Sequence, residues 1–251
     1  MKVKLYGVPG SHPVKGAELM LDYKGIPYSR RDLFPVASRV LTRALGFKGN
    51  RVPAIKIDGR RVQGSHDVTR ELEAVKPDPP LFPADPAARA AVEEAEAWSD
   101  PFQQVPRGII WWALKREPGA QESFLNDAKL GIPLPTGMLI KTSGPVLWGA
   151  QRLNDSYDPT VQSLIAQIPE SLDRIDAWIA EGVLGGAQPN AADFQIAPSV
   201  RLLMTFDDLR PAIESRPAGQ HAQRFIPQAP GRIPPVFPAE WLAPLRAPAP
   251  S

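Results

Sequence analysis

The 251-residue chain contains no cysteine. That excludes disulfides, thiolate-ligated zinc, iron–sulfur clusters and a cysteine nucleophile, while leaving the redox compartment open. Histidine is scarce as well: three residues, widely separated along the chain, give no metal-ligand spacing, so no metal is expected. Neither sign of charge dominates, with 29 Lys and Arg against 27 Asp and Glu. No dense basic stripe is present, which argues against nucleic acid as a partner. No apolar run approaches the ~20 residues a membrane-spanning helix needs. The opening residues MKVKLYGVPG carry basic side chains but no apolar stretch after them, so neither a signal peptide nor a membrane partner is expected. The expectation from these absences is a cytoplasmic enzyme or binding protein.

What the chain has in excess is proline, 30 of 251 residues, about 12% against a usual ~5%. Many fall after Arg216, where each removes a backbone donor and fixes φ, so long helices and central strands are not expected there. The same tail carries Phe225, Ile226, Ile233, Val236, Phe237, Trp241, Leu242 and Leu245. Disordered tails are poor in such residues. The expectation is an extended arm packed on the body over about 216–251, loose only at its last few residues.

The first 76 residues alternate strand and helix signals. Val3–Gly7 is a short β-rich run; Pro13–Lys24 has helical apolar spacing and is stopped by Gly25. Pro27–Leu33 and Val52–Ile57 read as strands, and Asp58-Gly59 is a strong hairpin signal before a returning strand at Arg61–Gln63. Ser65 stands where a helix N-cap belongs, ahead of Val68, Leu72 and Val75. The order is β-α-β-(α)-β-β-α. A proline-rich passage, Lys76–Pro86, then separates this unit from a region that reads as helical through Leu209. Its Leu81 and Phe82 predict a linker lying on the surface of the body rather than a free tether.

In that region Val92, Ala95, Phe102, Val105, Ile109, Trp112 and Ala113 form a long stripe, with a kink expected at Pro101 or Pro106. Val161, Leu164, Ile165, Ile168, Leu172, Ile175 and Ile179 make the cleanest helical face, ended by Gly182, Gly185 and Gly186. A further helix opening at Asn190 is apolar nearly all round, which predicts a buried central helix. Residues 131–146 are irregular and apolar, suited to a lid or an interface.

Three stretches together carry a resemblance: Leu5–Tyr28 (LYGVPGSHPVKGAELMLDYKGIPY), Arg51–Glu73 (RVPAIKIDGRRVQGSHDVTRELE) and Asn190–Leu203 (NAADFQIAPSVRLL). Their order and spacing resemble the glutathione S-transferase superfamily, in particular its theta-like, serine-type bacterial members. The resemblance implies an α/β plus all-α fold: a thioredoxin-like domain over residues 1–78, then an all-helical domain over 87–251 that includes the proline-rich arm. It also implies a homodimer, glutathione as co-substrate, a hydrophobic electrophile and a role in detoxification.

Site residues follow from the same resemblance. The family's chemistry needs a thiolate, because the thiol barely attacks. A hydroxyl at a helix N-terminus stabilises that anion by a hydrogen bond and the helix dipole. Ser11 matches the catalytic serine, although Ser also fills such a position simply as a cap; Tyr6 is the rival donor. Val52 and Pro53 match the family's cis-proline turn, where Val52 would offer its backbone to an extended peptide. Ser65 resembles the residue that holds the γ-glutamyl carboxylate, with His66 beside it. His12 takes the place of a polar residue reaching the glycyl end, near the cations Lys15 and Arg51, though all three also suit solvent. The electrophile pocket would draw on Val8, Pro9, Arg107, one of Trp111 and Trp112, and Trp148, between the domains. Asn190 and Asp193 form a capping pattern of structural role.

One departure matters: the acidic residue usually preceding Ser65 is Gly64 here. That keeps two other readings open, a non-catalytic ligand-binding homologue and a transferase using a different low-molecular-weight thiol. The Ala-, Pro- and Arg-rich composition suits a GC-rich bacterial genome, where glutathione need not be the resident thiol. Thiol–disulfide exchange by the protein itself has no residue, with Val14 where a second thiol would stand.

Overall fold

A computed structural model of the chain describes residues 1–35, 37–49, 51–130 and 136–246. Strands β1 (Val3–Gly7), β2 (Tyr28–Asp32), β3 (Ala54–Ile57) and β4 (Arg60–Gln63) form one sheet in the order β2-β1-β3-β4. β1 pairs parallel with β2 and antiparallel with β3, and β3 pairs antiparallel with β4. A parallel pair needs a crossover, and α1 (His12–Tyr23) supplies it. The β3–β4 hairpin turns at Asp58 and Gly59, both at positive φ as a two-residue turn of this kind requires. Helix α2 (Ser38–Ala44) precedes β3, and α3 (Ser65–Val75) follows β4. This is the element order read from the sequence and the thioredoxin-like arrangement that the resemblance implied.

The linker is anchored rather than free. Leu81 and Phe82 are buried, and the fully buried Lys24 ammonium donates to Glu73 and to the carbonyls of Lys76 and Pro79. Beyond it the chain is helical. The long stripe divides at Gln103 into α4 (Pro86–Phe102) and α5 (Gln104–Arg116), between the two prolines expected to kink it. All seven of its predicted apolar residues are buried. Helices α6 (Gln121–Leu125), α7 (Thr136–Lys141) and α8 (Gly144–Leu153) follow. Part of the 131–146 segment lies outside the described residues.

The face from Val161 to Ile179 belongs to two helices rather than one: α9 (Asp158–Ala166) and α10 (Ile168–Ala180). Pro169 lacks the N–H that would continue the α9 ladder and sits in the first turn of α10, where that N–H is not needed. Helix α11 (Ala191–Leu203) is buried at every position, and its capping box is complete: the Asn190 side chain accepts from the Asp193 N–H, and Asp193 accepts from the Asn190 N–H. It lies against α1 and α4, joining the two domains through one central element.

The arm is packed, as its apolar content predicted, but it opens with a helix. After α12 (Arg210–Glu214), residues Pro217–Phe225 form α13, with proline in its first turn where a missing N–H costs nothing. Arg201 then holds the carbonyls of Ile226 and Pro227, and the Asp208 carboxylate accepts from the N–H groups of Val236 and Phe237. Ile233 is fully buried, and Phe237 and Trp241 pack on Trp112. The arm ends in α14 (Ala243–Arg246); the expected loose end, 247–251, lies outside the described residues.

Candidate functional site

A cleft of about 1080 Å³ opens between the two domains. On the sheet side it is lined by the loop Val8–Pro13, by Arg51 and Val52, and by the start of α3 from Gly64 to Asp67. On the helical side stand Asp100, Gln103, Arg107, Ile110, Trp111 and Leu114, with Phe124, the segment Arg152–Asp155 and Leu202 closing it.

Ser11 occupies the N-cap of α1, but its side chain makes no capping hydrogen bond. Its backbone does the local work instead: the N–H donates to the Val8 carbonyl at 3.2 Å, and the Ser11 carbonyl accepts from the Lys15 N–H at 3.0 Å. The hydroxyl is therefore uncommitted at a helix N-terminus, where backbone N–H groups and the helix dipole favour an anion. On the same side of the cleft, the Val52–Pro53 peptide bond is cis. The Pro53 carbonyl accepts from the Gly64 N–H at 2.8 Å, which ties this turn to the start of α3. Among the described residues, neither backbone group of Val52 takes part in a hydrogen bond. Pro53 itself is buried and does not line the cleft; it shapes the turn.

Residues 5–80 match the family model of the glutathione S-transferase N-terminal domain. That stretch of the chain is therefore a glutathione S-transferase N-terminal domain by its sequence. No curated protein sequence matches it. Among solved structures it is similar to FzlA from C. crescentus, at 16% identity and TM-score 0.60, over 92% of this chain and 89% of that one. It is similar to the beta-etherase LigF from Sphingobium sp. strain SYK-6, at 20% identity and TM-score 0.59, over 89% and 99%. It is also similar to a glutathione S-transferase from Methylobacterium radiotolerans in complex with glutathione sulfonate, at 18% identity and TM-score 0.50, over 90% and 88%. These likenesses are of fold.

Several sequence expectations are corrected by the geometry. The N-cap of α3 is Gly64, at φ +96°, and Ser65 is the first helical residue rather than the cap. A side chain at Gly64 would meet no neighbour within 4 Å, so the conformation, not space, favours glycine there. His12 is not solvated: it is 6% exposed, and its Nε2 is buried without a partner. Burial, reinforced by the Arg107 charge, holds its pKa well below the ordinary value, against the Gln103 backbone, which favours the charged ring. His66 contacts the helical domain, with Nε2 3.2 Å from the Glu96 carbonyl oxygen and 3.4 Å from an Asp100 carboxylate oxygen.

Tyr6 is buried edge-on against Phe47, with ring centroids 5.8 Å apart, and is not among the residues lining the cleft. Of the two adjacent tryptophans, Trp111 faces the cleft. Trp112 lies in the core, its indole N–H donating to Asp158 and the Arg116 guanidinium stacked on its ring. Trp148 is 59% exposed and does not line the cleft. Val8, Pro9 and Arg107 do.

The helical wall carries residues that the sequence did not single out. Gln103 is 4% exposed, and its Nε2, like the His12 Nε2, is buried without a partner. The spacing from Gln103 to Arg107 and Trp111, four and four, is the only signal in the sequence that puts these three on one helix face. Phe124 is placed by chain segments far apart: its ring lies within 3.3 Å of where a Cβ on Gly10 would stand, and within 2.6 Å of one on Gly231. The arm thus buttresses the wall beside the Ser11 loop, and Ser123 reinforces it by accepting from the Arg232 N–H at 3.0 Å.

Proposed function

We propose that this chain is a serine-type glutathione transferase, in which the Ser11 hydroxyl donates to the thiolate of a bound thiol peptide. The observation that carries this reading is the Ser11 side chain, uncommitted at the N-terminus of α1 and facing a cleft whose same, sheet-side wall holds the Val52 backbone, which among the described residues makes no hydrogen bond. Val52 pairs with the peptide backbone in the manner of an added strand, and the N–H groups opening α3, with the Ser65 hydroxyl, hold its terminal carboxylate. His66 stands beside that helix start. Ser11 then favours the ionised sulfur by a hydrogen bond to the charged form and by the helix dipole. The solved relative that carries glutathione sulfonate supports glutathione as the thiol.

The chemistry is a displacement or addition at an electrophilic carbon. With an aryl halide, the thiolate sulfur forms the carbon–sulfur bond, the carbon–halogen bond breaks with its electron pair, and the thiol proton has already gone to solvent. The test is conjugation of glutathione to a chlorodinitrobenzene by the wild type and by Ser11→Ala. The expected loss of kcat/KM in S11A is roughly 10–100-fold, the range for one hydrogen bond to a charged group. No turnover, with no thermal stabilisation by glutathione, would overturn the reading.

Gly64 favours a second reading. It places no carboxylate before Ser65 to meet a γ-glutamyl amine, so a different low-molecular-weight thiol, or an apolar ligand without thiol chemistry, fits that end of the cleft as well. Thermal stabilisation by a panel of thiols separates these: stabilisation by another thiol and not by glutathione favours the second.

A further inference from the structure

The cleft gathers Arg39, Arg51, Arg107 and Arg152, and among the described residues none of them has a carboxylate within 4 Å. Three are exposed, which is ordinary for a surface arginine. Arg107 differs. It is half-buried on the helical wall and, among the described residues, its side chain bonds only the neutral Gln104 side chain, at 2.9 Å. Burial, with Arg51 close by, pulls its pKa below the ordinary guanidinium value, while Asp100 relieves this in part. Elsewhere in the molecule the half-buried arginines that face acids are bound to them, as Arg30 is to Glu18 and Asp32 and Arg216 to Asp173 and Asp176.

Two further groups converge on the same spot. Gln103 lies one helical turn before Arg107, and His12 faces both from α1; each is more than nine-tenths buried and has an unpartnered nitrogen. Buried polar atoms are nearly always paired, so the orphaned Gln103 amide and His12 ring nitrogen, beside an Arg107 that meets no carboxylate among the described residues, call for a ligand group. The α5 face continues from Arg107 into Ile110, Trp111 and Leu114, and Phe124 stands opposite. A cation is thus followed by about two turns of apolar wall.

Building on the proposed thiol transfer, we infer that the electrophile is an apolar or aromatic acid, whose carboxylate is held by Arg107 with Gln103 and His12 while its body lies on Trp111, Ile110 and Leu114. This replaces the purely hydrophobic electrophile expected from the family resemblance. Arg107 and Gln103 stand on the helical wall and Val52 and Ser65 on the sheet side, so the site is assigned to the second substrate rather than to the thiol peptide. Asp67, Asp100 and Asp155 also line the cleft, and their charges disfavour a substrate carrying several carboxylates.

The test compares two aryl chlorides with glutathione, neutral 1-chloro-2,4-dinitrobenzene and the carboxylated 4-chloro-3-nitrobenzoate, in wild type, Arg107→Gln and Arg107→Lys. In both, sulfur replaces chloride, which leaves with the bonding pair. The reading is the ratio of kcat/KM for the carboxylated over the neutral substrate, since intrinsic reactivity cancels between variants. R107Q is expected to lower that ratio about tenfold or more, with partial recovery in R107K, which keeps the charge but loses the forked geometry. An arm without chemistry uses unreactive 3-nitrobenzoate and thermal shift: it should stabilise the wild type and not R107Q.

An unchanged ratio with active enzyme overturns the anion site and leaves the thiol reading standing. Loss of 3-nitrobenzoate binding in R107Q, with no turnover of either chloride, keeps the anion site and overturns the thiol reading. A raised KM for glutathione in R107Q with an unchanged ratio assigns Arg107 to the peptide's own carboxylate and overturns the proposal.

Discussion

The two domains meet along two polar stretches that share the long α4–α5 helix pair and are finished in opposite ways. Around Glu96, on α4, the seam is closed. Glu96 is fully buried; one carboxylate oxygen accepts from Gln195 of α11 at 2.6 Å, and the other lies 2.7 Å from a guanidinium nitrogen of Arg70 of α3 as an ion pair. Gln195 also donates to Thr69 at 3.1 Å and accepts from Ser99 at 3.2 Å. Two turns further along, around Gln103 and Arg107, the same helices meet the same sheet domain, and there, among the described residues, Gln103 Nε2, His12 Nε2, the Ser11 hydroxyl and the Val52 backbone are without partners. A domain interface whose only task was cohesion would finish both stretches alike, because each orphaned buried donor costs about 1–3 kcal/mol. The unfinished stretch is where a ligand completes the pairing.

The largest effect expected from this comparison is in the closed seam. Glu96→Ala strands Arg70 and Gln195 and should lower stability by about 3 kcal/mol, read as the shift of a denaturant unfolding curve. The matching change in the cleft, Gln103→Leu, removes an orphaned amide and should raise stability by about 1 kcal/mol. Loss of stability in both variants would mean that the two stretches do not differ.

A smaller effect tests the arm as part of the wall. In Gly231→Ala the new methyl group lies 2.6 Å from the Phe124 ring, which must give way toward Gly10. We expect an overpacking cost of about 1–2 kcal/mol, accompanied by a rise in KM for the electrophile larger than that for glutathione. An equal rise in both constants, or none, would confine the arm to a packing role.

The smallest effect is a pH slope. The pKa of His12 in the folded chain lies well below its ordinary value of 6.5. The unfolded chain therefore binds a proton first as pH falls. The stability this neutral, buried ring carries is present above about pH 6.5 and is lost as pH drops below it toward the folded value. His12→Gln should flatten the slope of melting temperature between about pH 6.5 and pH 5. A slope identical to wild type would place the responsible group elsewhere.

Much of the fold was legible because its signals are local. Alternating strand residues, Asp58-Gly59, the Asn190–Asp193 box and the all-round apolar α11 each announce themselves within a few residues, and their order is that of the thioredoxin-like and helical pair. The errors came where a local rule had two outcomes. Pro169 within an apolar periodic face starts a second helix, and Gly64 rather than Ser65 caps α3 because the chain enters that helix at positive φ.

At the site, Ser11 and Val52–Pro53 were legible through motif context, and so were Val8, Pro9, Arg107 and Trp111. The partners that define the cleft's unfinished character were not. Gln103 and His12 are ninety-one positions apart in sequence, and Gly231 reaches Phe124 from the far end of the arm. Whether a buried polar group is paired depends on such distant neighbours, and no short pattern encodes it.

The central claim is that the Ser11 hydroxyl is held free to stabilise a thiolate. Its most direct test is the ultraviolet titration of the thiol of bound glutathione in wild type and Ser11→Ala, at saturating glutathione. The account predicts that the bound thiol ionises well below the free thiol's range of about 8.5–9 in wild type, and about one pKa unit or more higher in S11A. Identical titrations in the two proteins, with glutathione bound in both, would contradict it.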